Sequence, residues 1–199
     1  MNVYPTREFL ARGRKDNQLK SCRHCGADNE SCSRIIGYCP AVQDARIKRH
    51  NYLCELLANE EKKKEWVIFQ EPLLRDDNNE LYKPDLVFFK GDQALVVDIT
   101  VRYESKPTSL ADAATEKVKK YQHLRNQVQE LTNTTNIKFM GFPLGAHGKW
   151  YQGDYELLTD LGLSSSQREK VACCLSNRAL FTSMDIIHIF ERKTWTVIA

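Results

Sequence analysis

The sequence predicts an α/β fold. Helix-period and strand-like segments alternate along the chain. The run from Ala94 to Arg102 is apolar apart from Asp98 and Thr100, the pattern of a central strand buried on both faces. No internal repeat or low-complexity tract points to a solenoid or a disordered chain.

The elements follow in order. Thr6 to Arg14 reads as a short basic helix ended by Gly13, and with the polar residues behind it forms an arm leading into a cysteine-rich segment. A helix is predicted from Val42 to Lys62, with His50, Leu53, Cys54 and Leu57 at i, i+3, i+4 and i+7 on its inward face. The charge run Glu60 to Glu65 is a solvated helix end, with a nuclear import signal as the alternative. Trp66 to Leu74 is strand-like, and Arg75 to Asn79 closes it as a turn, so Asp76 and Asp77 belong to a hairpin loop and not to a polymerase metal site. Strands at 84–90 and 94–102 are joined through Gly91 and Asp92. After Pro107 come a long helix from Leu110 to Leu131, a strand from Ile137 to Leu144 and a turn at Gly145–Gly148. Helices are expected near Asp154–Leu161 and from Ser165 to Asn177, and then a separate C-terminal piece, Ile186–Val197.

A chain of 199 residues, 42% hydrophobic and 28% charged, has room for a core but none for a full polymerase or ATPase motor. It holds no apolar run of about 18 residues that would span a bilayer. Arg7, Arg12, Arg14, Lys15 and Lys20 interrupt the first twenty residues, which rules out a secretory signal and predicts a protein that stays inside the cell. Residues 1–50 carry ten Lys/Arg against five Asp/Glu, and the rest nineteen against twenty-one. Positive potential is therefore concentrated near the N-terminus, where it either receives a polyanion or solvates a surface.

Seven cysteines in a chain without an export signal are metal ligands or buried thiols before they are disulfides. Cys22, Cys25, Cys32 and Cys39 have the spacing C-x2-C-x6-C-x6-C, which suits one structural zinc ion; alternatively Cys32 and Cys39 are small core residues. Cys54, Cys173 and Cys174 lie on helix-like segments among Leu and Ala, where a buried free thiol is the default. His24 points away from any ion held by its neighbours. His50 is read as a satisfied core histidine, with a fourth zinc ligand or a DNA contact as alternatives.

Asp98 is the anomaly. A carboxylate among Leu95, Val96, Val97, Ile99 and Val101 is costly to desolvate unless a cation sits beside it. Asp85 begins the preceding strand directly after Pro84, and a hairpin brings the two acids to one end of a sheet, an oxygen pair suited to Mg2+. On the long helix Lys117 falls in the middle of the apolar stripe of Leu110, Ala114, Tyr121, Leu124, Val128 and Leu131 and so faces the sheet; Lys120 lies at its edge. Such a lysine either forms a buried ion pair or orients a water for attack on phosphorus.

Pro84-Asp85, Asp98 after twelve intervening residues, and Lys117 on the following helix resemble the PD-(D/E)xK restriction-like nuclease signature in its migrated-lysine form, Thr100 standing where that motif usually has lysine. The cysteine segment, Arg49-His50-Asn51, Lys83-Pro84-Asp85, Val97-Asp98, Lys117 to Tyr121, Gly148-Lys149-Trp150 and Leu157 to Gly162 together resemble the C-terminal region of site-specific, ribosomal-gene-targeting non-LTR retrotransposon polyproteins. The opening Tyr4 to Arg14 resembles the linker that precedes their endonuclease.

The resemblance implies a restriction-endonuclease-like core, a mixed sheet flanked by helices, behind a small zinc knuckle. The parts are a basic linker arm (1–20), the knuckle (21–41), the core (42–163) and a helical/strand extension (164–199). It implies Mg2+ on Asp85 and Asp98, catalysis by Lys117 with Lys120 competing for the role, and packing or phosphate contact by Tyr121. The family knuckle is Cys-Cys-His-Cys and falls on Cys22, Cys25, Arg34 and Cys39, so either Cys32, with His50 in reserve, is the substitute zinc ligand, or the knuckle is degenerate. The implied partners are double-stranded target DNA, element RNA and the reverse transcriptase of the same polyprotein, with no membrane and with action in the nucleus. Arg12, Arg14, Lys15, Arg34, Arg46, Lys48 and Arg49 are the expected contacts to nucleic acid. The rival expectations are a zinc-knuckle binding module with an inert nuclease fold, and an interaction protein in which Asp85, Asp98 and Lys117 form only an ion network.

Overall fold

The computed structural model describes residues 4–12, 20–62 and 65–193. In chain order its elements are α1 (Arg7–Leu10), α2 (Cys32–Gly37), α3 (Gln43–Lys62), β1 (Val67–Gln70), β2 (Leu74–Arg75), β3 (Leu81–Tyr82), β4 (Leu86–Lys90), β5 (Gln93–Arg102), α4 (Ser109–Tyr121), α5 (Arg125–Thr132), β6 (Asn136–Gly145), α6 (Asp154–Asp160) and α7 (Ser165–Arg192). Among the described residues no helix is long and apolar enough to cross a membrane.

The main sheet has the order β1-β4-β5-β6, and β2 and β3 form a separate ribbon. β4 and β5 are a hairpin closed by Gly91, at φ 59°, and Asp92, with Lys90 opposite Gln93. β5 and β6 run parallel, joined by α4 and α5, which makes the sheet mixed. In the ribbon, Asp76 Oδ1 accepts from the amides of Asn78 and Glu80, the turn role predicted for it.

Alternation along β5 divides two layers of core. Leu95, Val97 and Ile99 join Leu86 and Phe88 against Leu53 and Leu57 of α3, Leu157 of α6, and Val171, Leu175 and Ala179 of α7. Ala94 and Val96 join Val87 and Ile137 against Tyr121, Leu124 and Val128 from the α4–α5 side. Asp98 and Thr100 continue the second register, so the carboxylate is aimed at α4 by the same pleat that buries Val96. Full burial of each large apolar side chain contributes roughly 1.5–3 kcal/mol, and both faces of β5 draw on it.

Two expectations need correction. The predicted helix from Leu110 to Leu131 is interrupted by a 3-10 turn over Gln122–Leu124. No Gly or Pro marks the break, and Tyr121 and Leu124 on either side of it both stay in the core. The separate piece Ile186–Val197 is instead the end of α7, a single 28-residue helix, and residues 194–199 lie outside the described residues. Leu175, Ala179, Ser183, Ile186 and Phe190 are all buried and keep one stripe running along it. The capping box of Ser164 and Gln167 sets its start. α7 contributes Val171, Leu175 and Ala179 to the main core.

Where it is described, the opening segment is tied to the cysteine segment by polar contacts. Glu30, fully buried, accepts from the amides of Arg7 and Arg23 and pairs with the Arg23 guanidinium at 2.6 Å. Burial pushes the Glu30 carboxyl up, but the Arg23 side chain and the two amides outweigh it and hold the group below its ordinary range. A depressed acid stabilises the fold above its unfolded-state value and loses that contribution as pH falls through the folded-state value. Glu30→Gln should thus cost about 2 kcal/mol near neutrality, lowering Tm by roughly 4–8 °C. The gap to wild type should narrow as melting curves are recorded below about pH 4; an equal gap at all pH values would reject the charge-based account.

Candidate active site

Asp98 is 3% exposed. The cation its burial demands is Lys117, whose Nζ lies 2.6 Å from Asp98 Oδ1. α4 brings it there because Gly141 of β6 sits directly opposite Asp98 in the parallel register. A Cβ on Gly141 would fall 2.7 Å from Ala114 Cα, one helical turn before Lys117, so the absent side chain is what lets α4 approach the sheet.

Asp85 lies one step beyond the last paired residues of the β4–β5 hairpin, Leu86 and Val97, and is 9% exposed. Its Oδ2 accepts from the Ile99 amide at 2.6 Å, and its Oδ1 lies 3.0 Å from His50 Nε2. That bond, against the opposing effect of burial, raises the His50 pKa. Cys54 Sγ is 3.6 Å from the same nitrogen. Burial, with the charges of Asp85 and Asp98 behind it, pushes the Cys54 thiol far up.

Tyr121 donates to the Lys83 carbonyl at 3.1 Å and accepts from Lys120 Nζ at 2.8 Å. Burial, then Asp98, drives its phenol well up, so it is a neutral hydroxyl at physiological pH. Asp85, Asp98, Lys117, Lys120 and Tyr121 line one cavity of about 300 Å3, together with Thr100, His50, Arg46 and Arg49. Lys117 touches an acid, whereas Lys120 is engaged with Tyr121. A hard dication fits this place: its donors are carboxylate oxygens, they are shielded from bulk solvent, and the cavity has room for the waters that Mg2+ retains.

The histidine against Asp85 was not legible as such. The sequence placed His50 on the inward face of α3 but offered nothing to pair that face with the start of β4.

The cysteine cluster is a different matter. Cys22, Cys25 and Cys39 bring their sulfurs together, with separations of 3.9 Å for Cys22–Cys39 and 3.8 Å for Cys25–Cys39. Cys32 is not among the converging thiols, and His50 is bonded to Asp85, so neither supplies the fourth ligand that was expected of them. At the fourth corner Arg34 Nη2 lies 3.7 Å from Cys25 Sγ. Burial raises the Cys25 thiol, but the Ala27 amide, the Arg34 guanidinium and the neighbouring thiols bring it down to about 7, whereas burial lifts Cys39 to about 12.

A guanidinium coordinates no metal, so these residues offer three donors of a closed zinc site and fill the remaining corner with a cation. A four-ligand zinc knuckle does not fit them. Arg34→His should complete the set and raise the zinc content of the purified chain by up to one equivalent over wild type, measured by elemental analysis; an unchanged content would show that the corner is not the limiting feature.

The basic residues divide. Arg49 is buried, donating to Ser183 Oγ of α7 at 2.9 Å and to the Ile36 carbonyl at 3.2 Å, and burial with Arg46 beside it pushes its pKa down to about 10. It staples α2, α3 and α7. Arg46 is bonded to the Gly37 and Cys39 carbonyls but still faces the cavity. Arg34 is held in the thiol cluster. Arg12, stacked on Phe9, and Lys48 are exposed, while Arg14 and Lys15 lie outside the described residues.

No protein-family model matches the sequence. The curated homologues are retrotransposon Pol polyproteins of R2 elements. A type-1 R2 retrovirus-related Pol polyprotein of Popillia japonica is 28% identical over 97% of the chain, and a second from that organism 31% identical over 78%. The corresponding protein of Bradysia coprophila is 30% identical over 82%. The chain spans only 40%, 26% and 19%, respectively, of the lengths of these three relatives.

Proposed function

We propose that this chain is a metal-dependent DNA endonuclease domain of a retrotransposon polyprotein, and that it nicks target DNA so that the released end primes reverse transcription. The observation that carries the reading is the meeting of Asp85, Asp98 and Lys117 in one cavity rimmed by further cations. A buried acid pair with a lysine is a poor stabiliser compared with apolar residues of the same volume, so stability alone is a weak reason for it. The homologous Pol polyproteins of R2 retrotransposable elements support the retrotransposon part of the reading. The reverse transcriptase, the element RNA and a nuclear site of action belong to the same proposal.

Asp85 and Asp98 would hold Mg2+, which when bound supplies charge stabilisation for the phosphate under attack. Lys117, held beside Asp98 as an ion pair, would direct its remaining N–H groups to orient a water toward phosphorus. Lys120 and Arg46 would bind the non-reacting phosphate oxygens, with the neutral Tyr121 hydroxyl, anchored on the Lys83 carbonyl, holding Lys120 in place. The water oxygen bonds to phosphorus as the P–O3′ bond breaks, leaving a 5′-phosphate and a 3′-hydroxyl able to prime synthesis.

The test is plasmid relaxation by the purified chain with and without Mg2+. Nicked circles bearing 3′-hydroxyl ends are the expected product. Retention of the plasmid on a gel without any cleavage would instead favour a binding module with an inert site.

A further inference from the structure

Asp85 stands between two cavities. One is shared with Asp98 and Lys117; the other, of about 120 Å3, is lined by Asn51, Cys54, Glu71 and Asp85, and His50 borders both. His50 and Cys54 are i and i+4 on α3 and so project side by side, and Asp85 reaches them from β4. The three donor atoms lie within 4.8 Å of one another.

The spacing has a meaning. A tetrahedral ion at usual zinc bond lengths separates its nitrogen and oxygen ligands by about 3.4 Å and its nitrogen and sulfur ligands by about 3.5 Å. Here Nε2–Oδ1 is 3.0 Å and Nε2–Sγ is 3.6 Å, within a few tenths of an ångström of those values, and Sγ and the carboxylate oxygen are no more than 4.8 Å apart, so closing of the Cys54 and Asp85 side chains would place all three on one ion, with a cavity water as the fourth ligand. The donors are mixed nitrogen, sulfur and oxygen, which suits a borderline transition ion and not Mg2+. Glu71 on the wall adds negative potential.

We propose that His50, Cys54 and Asp85 form a second metal site, for Zn2+ or a similar transition ion, whose occupancy withdraws Asp85 from the cavity it shares with Asp98. Binding forms an Sγ–metal bond and releases the thiol proton to solvent. The first half of the proposal stands on geometry alone; the second, that such an ion inhibits Mg2+-supported nicking, rests on the function proposed above.

Cobalt(II) is the probe, titrated into metal-free full-length chain and followed by bound equivalents and by sulfur-to-cobalt absorbance. Cys54→Ser should lose one bound equivalent and one thiolate's share of the absorbance relative to wild type, whatever the Cys22–Cys25–Cys39 cluster holds. His50→Asn, which leaves the thiol in place, should weaken that equivalent at least tenfold. Wild-type stoichiometry and spectrum in both variants would overturn the site.

In the nicking assay, Zn2+ should inhibit wild type, and Cys54→Ser should need at least ten times more of it for the same fractional inhibition. Equal zinc sensitivity would overturn the inhibitory role. If no variant nicks at all, the proposed function fails while the cobalt equivalents still decide the metal site.

Discussion

Asp98→Asn is expected to reduce Mg2+-dependent nicking by on the order of 10^3-fold while leaving DNA affinity within a few-fold of wild type. The substitution keeps the volume of the side chain and removes only its charge. Lys117, 2.6 Å away, then has no carboxylate to hold it, and the cavity loses half of its paired oxygens. Lys117→Met should fall nearly as far, and the double variant hardly further, because residues that act as a unit are not additive. If Asp98→Asn changes the melting temperature and leaves nicking intact, the acids and the lysine are only an internal ion network.

Gly141→Ala should disable the same chemistry from a residue that touches no substrate. The added methyl would meet the backbone of Ala114, including its Cα at 2.7 Å, which no side-chain rotation relieves. α4 must move off β6 and take Lys117 with it. A displacement near 1 Å is enough to cost about 10^2-fold in rate, and overpacking of this kind costs about 1–3 kcal/mol of stability. Trimming the neighbour with Ala114→Gly should not rescue it, because the obstructing atoms are main chain. Unaltered nicking by Gly141→Ala would show that the close approach of α4 is not what positions the lysine.

The layered fold and the acids were legible because they depend on periods. The twofold alternation of β5 sends Asp98 to the face opposite Leu95 and Val97, and the helical period of α4 puts Lys117 in the stripe that packs on that face. What escaped the sequence depends on partners far apart in the chain. His50 needs Asp85, thirty-five residues on; Glu30 needs Arg7 and Arg23; Arg49 needs Ser183. Arg34 could be seen to replace a histidine, but its contact with Cys25, and the absence of Cys32 from the converging thiols, follow from how α2 is seated. The continuity of α7 was hidden because Asn177 and Arg178 look like a helix end, when they only mark the exposed side of a helix whose buried stripe runs on to Phe190.

That helix is about 42 Å long at 1.5 Å per residue. Its first half is sunk among the strands with Val171, Leu175 and Ala179, and its second half carries Ile186 and Phe190 beneath Cys22, Ile35 and Cys39. It works as a beam spanning both foundations. Under the proposed function, a strand held near the thiols would meet the acid cavity in one fixed orientation, because a single rigid helix seats both and no slack tether lies between them.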